Sequence, residues 1–147
     1  MKNLKIPFFT KAFLASLIIA LTLTLSSCST TKTNFLVSSV VPAAKGFAKV
    51  KKDNNENYSI KIEIEDLADP KRLLPPKSGY IVWLETNNNI VQNIGQIKTS
   101  TSLLSSKLKA SFENVSANKP SKIFITAEDD LNVQYPLGIV VLTTNNF

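Results

Sequence analysis

Between residues 58 and 65 the chain alternates without exception. Tyr58, Ile60, Ile62 and Ile64 are interleaved with Ser59, Lys61, Glu63 and Glu65. A period of two sends the two sets to opposite faces of an extended strand, so this segment has one buried and one wetted side. Shorter stretches of the same kind recur at 35–41, 45–51, 90–97 and 108–112, and apolar runs at 80–84, 123–125 and 139–142. Turn-forming clusters separate them, including Asp53-Asn54-Asn55-Glu56-Asn57 and the paired Pro75-Pro76. Residues 80–84 are apolar on both faces, which predicts a central strand, and Gly95 inside its hairpin partner predicts a bulge or a close approach. The pattern predicts an all-β domain over 35–147: an immunoglobulin-like β-sandwich of seven or eight antiparallel strands.

The first 27 residues read differently. Lys2, Lys5 and Lys11 precede a continuous apolar segment at 12–25, with no acidic residue among them. A run of about 14 residues is too short to span a bilayer comfortably and fits the apolar region of a secretory signal peptide. It ends in Leu25-Ser26-Ser27-Cys28, which resembles a bacterial lipobox. The resemblance implies cleavage before Cys28, a diacylglycerol on its thiol and acylation of the new amino group. Two or three acyl chains give stable membrane anchoring, whereas one gives only a marginal hold. Residues 28–34 are then the lipidated cysteine and a short polar tether. The expected location is the extracytoplasmic side of a bacterial membrane. Ser29 is not an acidic retention signal of the enteric type, so the outer membrane is expected where the organism has one.

Composition narrows the chemistry. The chain has no histidine and one cysteine, which excludes Ser-His and Cys-His nucleophile pairs, an internal disulfide and multi-thiolate metal sites. Beyond the leader, 14 basic residues face 11 acidic ones, too even a balance to predict nucleic-acid binding. The acidic residues Glu63, Glu65, Asp66 and Asp69 sit on the wet side of a strand or just after it, with no cleft indicated around them. Neither an enzyme, a cofactor nor a small-molecule substrate is expected.

Three groups remain as candidate sites. Lys71, Arg72, Leu73, Leu74 and Lys77 form a basic, proline-stiffened loop with two apolar residues, suited to contact an envelope protein partner or a headgroup layer at low entropic cost. Leu73 and Leu74 in the alternative seal the end of the sandwich. Glu128, Asp129 and Asp130 are weak candidates for a calcium site, since hard cations need several oxygens, and a solvated turn is the plainer expectation. Tyr80 and Trp83 fall on opposite faces of one strand; Trp83 is expected between the sheets, and Tyr80 is left open as part of a carbohydrate platform.

Gly79-Tyr80-Ile81-Val82-Trp83-Leu84, the later Ile94-Gly95, Thr126-Ala127-Glu128 and Pro136-Leu137-Gly138 together resemble the C-terminal domain of anti-sigma-K factors. The resemblance implies a small extracytoplasmic β-sandwich. That family also carries a cytoplasmic helical domain and a spanning helix ahead of the sandwich, for which this chain offers no matching segment. Its glycine-rich turn after the glutamate is replaced here by Asp129-Asp130-Leu131-Asn132. Fold and setting are implied, sigma-factor binding is not. The expected role is a lipid-anchored binding or envelope-structural module. The alternatives are an accessory or sensory subunit of an anti-sigma-type signalling system, or a carbohydrate-binding module.

Overall fold

The computed structural model describes residues 29–101 and 108–147. Among them are nine strands: β1 (Thr30–Asn34), β2 (Lys45–Lys52), β3 (Tyr58–Glu65), β4 (Gly79–Glu85), β5 (Val91–Ile97), β6 (Thr99–Thr101), β7 (Leu108–Ser116), β8 (Lys122–Glu128) and β9 (Ile139–Thr143). They form two antiparallel sheets, one ordered β1-β2-β3-β7-β6 and the other β5-β4-β8-β9. Among the described residues the only helical element is a 3-10 turn at Pro70–Arg72. The all-β expectation therefore holds, with nine strands in place of seven or eight. The leader, the lipobox residues Leu25, Ser26 and Ser27, and Cys28 lie outside the described residues.

One core joins the sheets. Ala48, Val50, Ile60, Ile62, Ile64 and Ala110 from the five-stranded sheet meet Tyr80, Val82, Leu84, Ile123, Ile125 and Leu142 from the other. The three isoleucines of β3 are fully or almost fully buried, as their alternation requires. Every described strand and every described core residue falls within 30–147, and these pack into one core.

The first strand differs from expectation. Residues 29–34 are not a tether: Thr30 pairs with Lys51, Lys32 with Lys49 and Asn34 with Phe47. Three threonines favour extended backbone, and polar side chains suit a sheet edge. Residues 35–41 are in turn not a strand. Phe35 makes a single bridge to Thr144, and the Leu36 N–H donates to the Thr143 carbonyl at 2.9 Å, so the chain passes from one sheet to the edge of the other. Ser38 then accepts from the N–H groups of Val40 and Val41 at 3.1 and 3.0 Å. This local hydroxyl bonding takes the place of a ladder. Thr99–Thr101 adds the short β6, paired with β7.

β4 is central and covered on both sides, as its composition predicts. The bulge predicted at Gly95 is present: the β4–β5 register shifts between Val82 and Trp83, where Gly95 and Asn93 are the partners. Gly95 has φ +135°, and a Cβ there would lie 3.0 Å from the Phe112 ring, so both the bulge and the close approach require glycine. The Asn114 side-chain amide donates to the Ile94 carbonyl beside it, tying β7 to β5.

The register defines two ends. One holds the start of β1, the β2–β3 turn at 53–57, the β4–β5 turn at 86–90 and the β7–β8 loop at 117–121. The other holds the β3–β4 connection at 66–78 and the stem of the β8–β9 loop, joined where Gly79 pairs with Glu128.

Candidate functional site

The loop at 70–77 is built on two anchors. Asp69 caps the 3-10 turn, its Oδ1 accepting from the Lys71 N–H at 2.9 Å. Lys77 Nζ donates to Asp129 Oδ2 at 2.7 Å and the Ser78 N–H to the Glu128 carbonyl at 2.9 Å, holding the loop against the β8–β9 loop. Between the anchors the two leucines part company. Leu73 is 7% exposed and belongs to the main core, whereas Leu74 is 97% exposed. Lys71 and Arg72 are exposed beside it. Leu73 is thus an end seal and leaves the candidate contact group. Lys77 is committed to Asp129, whereas among the described residues Lys71 and Arg72 have no ion-pair partner and Leu74 no cover.

The acidic cluster separates into three unrelated roles. Asp129 pairs with Lys77, and Asp130 closes a turn by accepting from the Asn132 N–H at 2.9 Å. Glu128 is no solvated turn residue, being 2% exposed. The Trp83 Nε1–H donates to Thr126 Oγ1 at 2.7 Å, the Thr126 hydroxyl donates to Glu128 Oε1 at 2.6 Å, and the Leu137 N–H reaches the same oxygen at 3.2 Å. Gly138 completes the join, since a Cβ there would stand 1.9 Å from the Ala127 carbonyl oxygen. Glu128 is therefore spent on neutralising buried donors, and no group of three carboxylates suited to a metal occurs among the described residues.

The same network overturns the expected placement of Trp83, while Tyr80, left open by the sequence, takes the inner face. Trp83 lies outside the sandwich, on the outer face of the four-stranded sheet, where it forms a second cluster with Ile81 and Phe124. Its ring stacks on that of Phe124 with centroids 6.3 Å apart. Leu131 and Val133 of the β8–β9 loop roof this cluster, and the Asn93 side-chain amide holds the loop through the Val133 carbonyl at 2.9 Å. Tyr80 is the residue that points between the sheets, its hydroxyl donating to the Ala68 carbonyl at 2.9 Å. Burial, and next to it the Asp69 carboxylate, push the Tyr80 phenol up to about 12. With both rings buried, neither offers a sugar platform.

A groove of about 700 Å³, with no signature in the local sequence, lies on the outer face of the five-stranded sheet. Phe35, Phe47, Lys61, Glu63, Glu65 and Glu113 are among its lining residues, so a depression does surround Glu63 and Glu65. Lys61 Nζ bridges Glu63 and Glu113 at 3.3 and 3.2 Å, and these two carboxylates, Glu113 foremost, hold its ammonium above the usual lysine range. The strict alternation of β3 places these side chains on one face; the pairing with β7 that closes the group is not local in sequence.

No known protein family, curated protein or solved structure matches this chain.

Proposed function

We propose that this chain is a lipid-anchored, extracytoplasmic module of the bacterial cell envelope that engages an envelope protein partner through the end opposite its anchor. The anchor is Cys28, read from the basic leader, the apolar run and the lipobox-like Leu25-Ser26-Ser27. An immunoglobulin-like reading of the sandwich draws support from strand order. β2-β3-β7-β6 against β5-β4-β8-β9 follows the A-B-E-D and C′-C-F-G arrangement of that fold, with β1 as an added edge.

The observation that carries the partner reading is Leu74. A leucine 97% exposed, near two prolines and two exposed cations and held by a capped turn and a 2.7 Å ion pair, is already ordered for contact. Little conformational entropy is left to lose on binding. A photo-reactive residue at Leu74 in the native-level protein is expected to give one discrete protein adduct, lost when Lys71 and Arg72 are changed to glutamate. An absence of adducts from Leu74 contradicts the reading.

A second reading, an accessory or sensory subunit of an anti-sigma-type signalling system, rests on the resemblance carried by residues 79–84, 126–128 and 136–138. The identity of the protein crosslinked at Leu74 separates the two.

A further inference from the structure

We infer that the β1–β2 face is a docking surface for anionic phospholipid headgroups, an inference that rests on the anchoring of Cys28 and specifies which side of the module then meets the membrane. Between Ser29 and Lys52 there are five lysines and no acidic residue, whereas the remainder of the chain after Lys52 carries nine basic residues against eleven acidic ones. The whole positive excess of the domain therefore sits on its first two strands.

Strand alternation sorts those lysines. Ala48 and Val50 are buried, and Lys45, Lys49 and Lys51 of β2 with Lys32 of β1 are exposed on the outer face. Lys32 stands opposite Lys49, and Lys49 opposite Lys61, in one cross-strand row. Like charges at that spacing, about 5 Å, oppose pairing of the strands. Glu63 and Glu113 neutralise Lys61 at the end of the row. Among the described residues no carboxylate pairs with Lys32, Lys49 or Lys51. Lys32 instead sits 3.7 Å over the ring of Phe47, adding a half-buried aromatic to the same face. Cationic side chains around an aromatic suit a headgroup layer.

Geometry selects the membrane as the source of the anion. β1 begins at Thr30, and the Lys52 N–H already bonds the Ser29 carbonyl at 3.4 Å. Two extended residues reach only about 7 Å, so an acyl chain on Cys28 holds Lys51, the partner of Thr30, within a Debye length of the bilayer surface. The five-stranded sheet then leans on its β1–β2 margin. The β8–β9 loop, on the outer face of the opposite sheet, faces away from the membrane.

The test uses residues 29–147, which hold every described strand and the described core, sedimented with vesicles of phosphatidylcholine alone or with one third phosphatidylglycerol. Binding to the anionic vesicles only is expected, with release as salt rises from about 0.05 to 0.5 M. Changing Lys32, Lys49 and Lys51 to glutamine weakens binding roughly fivefold per lysine, on the order of a hundredfold in all. The melting temperature of that variant should stay at or above that of the parent, which separates lost binding from lost fold. Changing Lys71 and Arg72 to glutamine leaves binding unchanged. No binding, equal binding to both vesicles, or equal loss in the Lys71/Arg72 variant overturns the inference. So does retention by an acidic polysaccharide with none by the vesicles. The mass of the N-terminal peptide of the membrane-extracted protein reports acylation separately, so an unmodified Cys28 with intact vesicle binding removes the anchor and keeps the face.

Discussion

The indole N–H of Trp83 donates to the hydroxyl of Thr126 at 2.7 Å on the outside of the four-stranded sheet, so the single tryptophan of the chain is buried by a loop and not by the opposite sheet. Thr126 passes the bond to Glu128, whose carboxylate also fixes the loop through the Leu137 N–H. Removing the hydroxyl while keeping the shape, in Thr126→Val, strands a buried indole donor and leaves a buried carboxylate short of a partner. The expected loss is about 2–4 kcal/mol, against about 1 kcal/mol or less for Thr126→Ser, read from urea unfolding.

Two glycines separate backbone clash from side-chain clash. A Cβ at Gly138 meets the Ala127 carbonyl oxygen at 1.9 Å, and one at Gly79 meets the end of the Leu131 side chain at 2.8 Å. Gly138→Ala is expected to cost about 3 kcal/mol or more, because strand and loop must move apart. Gly79→Ala should cost about 1 kcal/mol, since Leu131 can turn. Thermal melts of the two variants give the comparison directly.

Tyr80 makes stability depend on alkaline pH. The folded state holds its phenol neutral, with the pKa raised from 10.0 to about 12 by burial and then by Asp69. The stabilisation is complete below about pH 10 and disappears as pH rises through the folded value near 12, a difference of about 2–3 kcal/mol. Tyr80→Phe loses the bond to the Ala68 carbonyl, about 1 kcal/mol at neutral pH, and its urea midpoint should fall less than that of the parent between pH 10 and 12. Parallel curves for the two proteins contradict this assignment.

Adjacent leucines in the β3–β4 connection are expected to behave as opposites. Leu73→Ala opens the end of the core and costs about 2–4 kcal/mol. Leu74→Ala changes stability by about 0.5 kcal/mol or less while removing the apolar side chain of the proposed partner contact. Urea unfolding and the crosslinking yield read the two effects apart.

Much of this fold is legible where a segment declares its own faces. The β3 isoleucines, the doubly apolar β4 and the glycine bulge in β5 all follow from local pattern, because each depends on side chains within a few residues. β1 is not legible in that way: a Thr-Thr-Lys-Thr-Asn edge strand gains its order from β2 and buries almost nothing of its own. The run after Asn34 has strand-like alternation, but Ser38 bends it within the first turns. Parity alone sets Tyr80 and Trp83 on opposite faces; which face lies inward depends on where the 129–138 loop folds back, some fifty residues later. Glu128 is hidden among acidic neighbours for the same reason, since its partners come from another strand and a returning loop. The basic face needed the register to align Lys32 with Lys49, although the absence of acidic residues before Asp53 is plain in the sequence.

The proposed anchoring of this sandwich to a membrane through Cys28 is read most directly by mass spectrometry of the N-terminal peptide of the protein extracted from the membranes of the cells that make it. The expected peptide begins at Cys28 and carries a thioether-linked diacylglycerol and an acylated amino group. A peptide beginning elsewhere, or an unmodified Cys28 thiol, contradicts it.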